Sequence, residues 1–167
     1  DSRSTVNFTG EGTLKAGNAI FSAGKININV KNLEISGTFK NEAGSTLSVS
    51  GLSSDSRKFV GDFENAGTAE FSGGSKNTFG GAVTNSGSAK FKDSAEGTFS
   101  QDFTNNAGGT VSFADTAKGT FSSAFLNSGV VDLKNASAQI KFDGNFTNNK
   151  DGTVTLPDDA SASVSFG

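Results

Sequence analysis

Short segments in which alternate residues are apolar recur along this chain at a nearly constant spacing. Their apolar pairs are Leu47/Val49, Ala69/Phe71, Ala89/Phe91, Val111/Phe113, Val131/Leu133 and Val154/Leu156. An alternation with a period of two predicts β-strands, whereas an amphipathic helix places apolar residues three and four apart. No helical spacing extends over a dozen residues, and 22 glycines would weaken any helical repeat. The pattern therefore predicts an all-β chain.

A second motif, Phe-x-x-x-Phe-x-Asn, precedes most of these segments. One copy begins at Phe99, continues to Phe103 and Asn105, and the motif restarts at Phe121. The corresponding asparagines are Asn41, Asn65, Asn85, Asn105, Asn127 and Asn148. Successive asparagines are 24, 20, 20, 22 and 21 residues apart. A period in the twenties indicates a solenoid or another array of small repeating units.

The two patterns together predict a single-stranded parallel β-solenoid of about six to seven coils, each of about 20–24 residues. Each strand would bond to its equivalents in the coils above and below, about 4.8 Å away. Within a coil, the alternating segment forms one strand and the Thr-Phe segment begins a second. The chain then bends at a small residue and enters a corner at the asparagine.

Stacked coils would place equivalent large apolar side chains in a ladder through the interior. Each buried Phe would contribute roughly 1.5 to 3 kcal/mol. The predicted ladder residues are Phe59, Phe63, Phe79, Val83, Phe99, Phe103, Phe121, Phe125, Phe142 and Phe146. Trp and Tyr are absent, which suits a narrow, dry interior where their polar atoms would need partners.

The periodic asparagines are predicted to form a turn ladder. A sharp turn often needs a residue with φ above zero, which Asn tolerates, and each amide can bond to the same amide of the next coil. The alternative is that these asparagines bind a sugar or a metal. We favour the turn role, because a periodic Asn beside a periodic Gly is what turn geometry alone requires.

Three regions follow from how well the repeat is kept. Residues 1–34 match it poorly and are predicted to form an irregular first coil or an N-terminal cap. Residues 35–156 carry the regular repeats, and residues 157–167 form a terminal strand after a turn at Pro157. The segment 50–58 lengthens one coil to 24 residues and is predicted to bulge outward as a solvated loop.

The irregular N-terminal part still contains alternating segments. Val6 and Phe8 predict a strand, residues 10–12 a turn, and residues 26–30 and 33–35 a pair of strands. In the lengthened coil, Arg57 and Lys58 are expected in solvent. The chain starts with Asp rather than Met, as expected for a mature secreted chain or for a piece of a larger protein.

The terminal strand carries neither a charge nor a proline that would prevent its edge from pairing with another strand. We hypothesise that residues 160–166 stack on the N-terminal coil of the next molecule and so build a head-to-tail filament. The predicted inter-subunit edge comprises Val6, Phe8, Ala160, Ala162, Val164 and Phe166. The alternative is that the next coil of a longer polypeptide covers this edge.

Composition removes several classes of function. The chain has 14 Lys and Arg against 17 Asp and Glu, and its formal charge of −3 is scattered, which argues against nucleic-acid binding. Lys76, Glu96 and Lys118 alternate in sign along one corner and are expected to form a solvated face. Without Cys and His, zinc, haem and thiol chemistry are excluded and no cofactor is expected. No apolar run reaches membrane length.

Enzymatic chemistry on a polysaccharide would need clustered carboxylates. The candidates are Asp62, Asp102 and Asp143. Asp62 and Asp102 occupy the same repeat position two coils apart, a separation of roughly 10 Å. That distance is too long for a paired acid and base, so we predict that the chain is not an enzyme.

Two other ligands of solenoids are also disfavoured. Calcium-binding nonapeptides of the Gly-Gly-x-Gly-x-Asp type do not occur in the sequence. Ice binding needs regular threonine ranks on a flat face. Thr78, Thr98 and Thr120 form only a single rank, and Lys58 and Lys141 occupy its matching positions in other coils.

The repeats Phe-Thr-Asn-Asn-Ala-Gly-Gly-Thr-Val-Ser-Phe and Phe-Leu-Asn-Ser-Gly-Val-Val-Asp-Leu resemble those of secreted bacterial β-solenoids. Over residues 35–156 the chain is similar to autotransporter passenger regions and to adhesins and surface fibres of the filamentous-haemagglutinin type. The resemblance implies an exported, elongated, non-enzymatic structure at the bacterial cell surface, used in adhesion, biofilm formation or cell contact. It transfers no site residues.

The expected function is therefore that of an extracellular structural protein, a subunit of a bacterial surface or matrix filament whose main partner is itself. The first alternative is a segment of a large adhesin or autotransporter passenger that attaches to cell-surface or matrix components. A polysaccharide-acting β-helix enzyme is the remaining alternative.

Overall fold

The computed structural model describes residues 4–133, 137–156 and 162–167, and the regular elements of these residues are all β-strands. The first eleven are β1 (Thr5–Ala16), β2 (Ala19–Phe21), β3 (Gly24–Ile35), β4 (Phe39–Asn41), β5 (Ser45–Gly51), β6 (Ser56–Phe59), β7 (Phe63–Asn65), β8 (Thr68–Gly73), β9 (Lys76–Phe79), β10 (Val83–Asn85) and β11 (Ser88–Phe91). The others are β12 (Glu96–Phe99), β13 (Phe103–Asn105), β14 (Thr110–Phe113), β15 (Lys118–Phe121), β16 (Phe125–Asn127), β17 (Val130–Asp132), β18 (Gln139–Phe142), β19 (Phe146–Asn148), β20 (Thr153–Thr155) and β21 (Ser163–Phe166).

The strands wind into a parallel β-solenoid of about seven turns with three faces. Face A stacks β5, β8, β11, β14, β17 and β20, and face B stacks β6, β9, β12, β15, β18 and β21. Face C stacks β2, β4, β7, β10, β13, β16 and β19. The long strands β1 and β3 run along both face A and face B, so these two faces form one continuous sheet. The predicted fold is confirmed.

Each regular coil contains three strands, whereas the sequence pattern predicted two strands and a corner. The additional strand is the Phe-x-Asn segment, as in β13, where Phe103 and Asn105 point inward and Thr104 lies between them. This segment alternates with a period of two, but it is only three residues long. Its pairing to the same segment in the neighbouring coils makes it a strand.

The interior is filled by columns of stacked phenylalanine rings. On face B, ring centroids in successive coils lie 4.5–5.4 Å apart, with the rings nearly parallel. Rings of face C meet those of face B edge-on, as Phe103 and Phe99 do at 5.0 Å and 88°. Stacked and edge-on contacts are the favoured geometries of aromatic pairs. The predicted interior ladder is buried, apart from the half-buried Phe146 near the C-terminal end.

The N-terminal region joins the same sheet with two long strands. β1 is continuous across residues 10–12, where a turn was predicted, and the register of its pairing with β3 shifts between Gly10 and Thr13. β3 likewise runs without a break from Gly24 to Ile35, where the pattern predicted two strands. The turn and the strand break are therefore corrected to a bulge and a continuous strand, because pairing along β1 and β3 keeps both chains extended.

The chain bends between faces B and C at small residues, as predicted. A Cβ atom added at Gly61 would lie 2.5 Å from the backbone of Gly37 in the preceding coil. At Gly144 it would lie 2.2 Å from the carbonyl oxygen of Ser123. Successive backbones are so close at this corner that these positions have no room for a side chain.

Arg57 was predicted to be solvated, and this prediction is wrong. Its side chain is 0% exposed, because it takes an inward position of β6 next to the exposed Lys58. Its Nη2 donates to the carbonyl oxygen of Ser50 at 2.6 Å and to Asp55 Oδ2 at 3.2 Å. β5 extends to Gly51 and β6 begins at Ser56, so the outward loop is confined to residues 52–55 instead of the predicted 50–58.

Candidate functional site: ladders and open ends

The periodic asparagines form a continuous amide ladder inside the corner between faces C and A. Each Nδ2 donates to the Oδ1 of the next coil at 2.7–2.8 Å, in the order Asn41, Asn65, Asn85, Asn105, Asn127 and Asn148. The first five of these side chains are at most 2% exposed. The predicted amide bonds between coils are confirmed.

The ladder also bonds to the backbone that turns around it. Asn105 Nδ2 donates to the carbonyl oxygens of Val130, at 3.1 Å, and Gly109, at 3.3 Å. Both the donor and the acceptor of this amide are therefore used within the solenoid. The predicted positive φ is wrong for the asparagines, since they end strands of face C, where extended backbone is required. At the asparagine corner the positive φ is carried by glycines, Gly24 at 87°, Gly44 at 84° and Gly108 at 83°.

Non-glycine residues have positive φ at the corner between faces A and B, where it was not expected. Among the described residues, the non-glycine positions with positive φ are Asp93 at 58° and Asp115 at 55°, and Gly73 in the preceding coil has φ of 67°. Asp115 Oδ2 accepts from the Asp93 amide, and Asp93 Oδ2 accepts from the Gly73 amide, both at 2.9 Å. The available signal was the spacing Phe-x-Asp after Phe91 and Phe113.

The three candidate catalytic carboxylates make separate local contacts. Asp62 Oδ1 accepts from the backbone amide of Ala82 at 2.9 Å, and Asp102 Oδ1 accepts from that of Ala124 at 3.2 Å. Asp143 pairs with Lys141 at 2.8 Å. Each of the first two therefore ties one coil to the next at the corner between faces B and C.

The charged rows pair along the solenoid axis. Glu96 lies 4.0 Å from Lys76 and 3.7 Å from Lys118, one coil to either side. These side chains are 36–55% exposed, as expected for the solvated face that the alternation predicted. On face C, Lys40 and Glu64 form a closer pair at 2.7 Å. Exposed pairs of this kind contribute about 0–1 kcal/mol each.

The threonine rank on face B is in register, with Thr78, Thr98 and Thr120 directly opposite one another in successive strands. Lys58 and Lys141 occupy the same position at the two ends of the rank, as predicted. The rank is therefore three threonines long, with a cation at each end.

Grooves on the sides of the solenoid are open to solvent. One of about 280 Å³ is lined by Lys40, Glu42 and Glu64 together with the ladder corner. In residues 4–133, 137–156 and 162–167, no three His, Cys, Asp or Glu side chains are grouped so as to hold a metal ion. No helix in these residues is long and apolar enough to cross a membrane.

Within the described residues, the two ends of the solenoid carry strands that pair on one side only. At the N-terminal end these are β1 and β2, and at the C-terminal end they are β19, β20 and β21. Large apolar side chains are exposed at both ends, with Ile20 at 60% and Val6 at 44%, against Phe166 at 64% and Leu156 at 57%. An unpaired strand edge with exposed apolar side chains is a template for another strand.

The predicted edge residues divide between these two ends. Val6 and the half-buried Phe8 lie in β1, and Val164 and Phe166 lie in β21. Ala162 is half-buried and directly precedes β21. Ala160 and the predicted turn at Pro157 lie outside the described residues. Edge residues that the sequence analysis missed are Leu14, Ala16, Ala19, Ile20, Val154 and Leu156.

No protein-family model, no curated protein and no solved structure matches this chain.

Proposed function

We propose that this chain is an extracellular structural protein of the bacterial surface or matrix, a non-catalytic subunit that lengthens a filament by stacking head to tail. Its main partner is a second copy of itself, and cell-surface or matrix components are further partners. It uses no cofactor. The function would reside in the stacked ladders and in the two open ends rather than in a binding pocket.

The observation that carries this proposal is the open pair of ends. Three strands at the C-terminal end and two at the N-terminal end lack a neighbour on one side, among the described residues. Phe166, at 64% exposure, belongs to the same ring column as the fully buried Phe99 and Phe121. Adding a coil beyond it would bury that ring and pair the strand, so association removes both costs at once.

The regular coils support a role in which length matters. Equivalent residues pair in register from coil to coil, so each coil adds one strand spacing along the axis. Seven coils at about 4.8 Å span about 34 Å. A stack of such subunits would form a thin, straight rod whose sides offer alternating charges and short polar side chains.

The test is the assembly state of the purified chain over a wide concentration range, measured by negative-stain electron microscopy and by sedimentation velocity. We expect thin filaments that lengthen with concentration. Phe166→Lys should leave short rods, because it places a charge in the stacking column. Leu52→Lys is the matched control, since Leu52 is 71% exposed but lies on a side loop, and it should still form filaments. A parent chain that remains monomeric throughout would overturn the proposal.

A second candidate is a segment of a large adhesin that attaches to host or neighbouring cells. It is favoured by the columns, which continue to β21, as they would if a further coil of a longer polypeptide followed. Short uniform rods that bind to cells or to extracellular matrix, and that bind equally well after Phe166→Lys, would support this candidate over the filament.

A further inference from the structure

We propose that two copies join in one register, with the columns of faces A and B continuing across the junction. In this register β20 of one copy pairs with the first half of β1 of the next, and β21 pairs with the second half of β1. This inference rests on the proposed filament and specifies its contact.

The register follows from columns that already run the length of the chain. On face A, Val6 pairs with Ile26 and begins the column that ends at Val154. On face B, Ala16 pairs with Ile35 and begins the column that ends at Phe166. Adding one coil in the same register therefore places Val154 over Val6 and Phe166 over Ala16.

Face C has one layer fewer than the other two faces. In the described residues it stacks seven strands where faces A and B each stack eight, β1 and β3 included, so β19 ends one coil before β20 and β21. β2 of the next copy therefore lies about two strand spacings, roughly 10 Å, from β19, and these two strands do not pair in this register. Since β21 belongs to face B, Val164 lies over Leu14 in this register, while Val6 and Phe8 face β20 and the residue that follows it.

The sizes of the end residues fit this arrangement. On face B the C-terminal end presents the ring of Phe166 at an inward position. The N-terminal end presents the half-buried Ala16 at the matching position. A large ring thus meets a small side chain there. Two C-terminal ends facing each other would bring rings against rings, and would pair the strands antiparallel.

The outward positions are compatible as well. Ser165 would face Lys15, and Ser163 would face Thr13, so none of these pairs brings like charges together. On face C the amide ladder ends at Asn148, because β2 of the next copy lies too far away to continue it. Asn148 Nδ2 already donates to the carbonyl oxygen of Gly152 at 2.8 Å, so the interruption leaves this donor bonded.

Engineered disulfides can test the register, because the chain has no cysteine of its own. In the double variant Lys15→Cys with Ser165→Cys, the two thiols would face each other across the junction. Neighbouring parallel strands are about 4.8 Å apart. This lies within the separation of about 4.4–6.8 Å between Cα atoms that a disulfide needs. Within one molecule the same residues are about seven coils apart, so only bonds between molecules can form.

The matched control is Glu34→Cys with Ser165→Cys. Glu34 follows Lys15 in the same outward column, one coil further from the junction, at roughly 10 Å from Ser165 of the neighbouring copy. Both native side chains are solvent-exposed and belong to the same ion pair, so each variant removes the same interaction. Circular dichroism would confirm that both variants are folded.

After mild oxidation, a non-reducing gel should show a ladder of dimers and higher multimers for the first variant, at least tenfold stronger than for the control. Filaments that form without this preference would overturn the register and leave the proposed function intact. A parent chain that forms no filaments at any concentration would overturn the proposed function, and this register with it.

Discussion

Face B carries two interior columns that differ in composition, although the same strands supply both. The Phe column consists of Ile35, Phe59, Phe79, Phe99, Phe121, Phe142 and Phe166. Two residues earlier in each strand lies the variable column, which consists of Leu33, Arg57, Asn77, Gly97, Gly119, Ile140 and Val164. The first column repeats Phe in every coil after Ile35, and the second ranges from glycine to arginine.

The size of each side chain in the variable column compensates for the size of the facing side chain of face A in the same coil. A Cβ atom added at Gly119 would lie 2.7 Å from the ring of Phe113, which fills that space. Where face A supplies the smaller Leu133, face B supplies Ile140, and where face A supplies Val49, face B supplies Arg57. In these coils a small side chain on one face thus accompanies a large one on the other, as close packing requires.

The largest expected effect is in the Phe column. Phe99→Ala removes a ring that stacks on Phe79 and Phe121 at 4.7 and 4.5 Å and is 1% exposed. Because the neighbouring coils cannot close the gap, we expect a loss of about 3–5 kcal/mol in the free energy of unfolding. Urea unfolding followed by circular dichroism would measure it. Thr98→Ala, at the exposed neighbouring position, is the control, and equal losses would contradict the ladder.

The compensation between faces A and B can be tested by transplanting one coil into another. Gly119→Ile should destabilise by about 1–3 kcal/mol, because the new side chain overlaps Phe113. Adding Phe113→Leu reproduces the Leu133 and Ile140 pair of the next coil and should recover most of this loss. The measurement is a double-mutant cycle of unfolding free energies. Additive effects of the two substitutions would refute the compensation.

The Phe column and the amide ladder could be predicted from the sequence, because each repeats one residue type at the coil period. The variable column could not, since its rule relates Gly119 to Phe113 through packing rather than through a repeated letter. The burial of Arg57 was missed for a related reason. A polar segment between two apolar strands, such as residues 50–58, predicts a loop. Only the pairing of β6 with β3 shows that part of it is a strand.

The candidate site was also predictable only in part. The sequence indicated an unblunted strand at the C-terminal end, and Phe166 is indeed exposed there. It did not indicate that β21 belongs to face B, because the face of a strand depends on the three-strand coil. The positive φ was expected at the asparagines. It occurs at glycines of the same corner, such as Gly44 and Gly108, and at Asp93 and Asp115 of the corner between faces A and B.

Arg57 is the member of the variable column with the least complete set of partners. Its Nε and Nη1 make no hydrogen bond to the described residues, and neither does Oδ1 of the neighbouring Asn77. Arg57→Met combined with Asp55→Asn keeps side chains of similar size and removes both charges of the ion pair. Replacing both partners of a buried ion pair by uncharged groups of similar size is often stabilising, so we expect a gain of about 1–2 kcal/mol. Thermal unfolding would measure it, and Arg57→Ala, which leaves a cavity, should destabilise instead.

The smallest expected effect is the pH dependence of the same corner. The pKa of Asp55 is lowered from its ordinary value of 3.8, chiefly because the carboxylate accepts a hydrogen bond from the Leu52 amide. Desolvation opposes this shift, and the hydrogen bond and charge of Arg57 add to it. Since the folded-state pKa lies below the unfolded one, the stabilisation is complete above the unfolded pKa. It is lost as the pH falls from about 4 through the folded-state pKa.

Asp55→Asn should therefore reduce the loss of stability between pH 5 and pH 3. The chain that carries Arg57→Met should still show part of this pH-dependent loss. The reason is that the Leu52 amide, the largest cause of the shift, remains in place when Arg57 is replaced. Urea midpoints measured across this pH range would separate the two contributions. If Arg57→Met abolished the Asp55-dependent change entirely, the guanidinium rather than the backbone amide would be what holds the carboxylate ionised. The variable column would then couple the loop to the solenoid interior through charge as well as through volume.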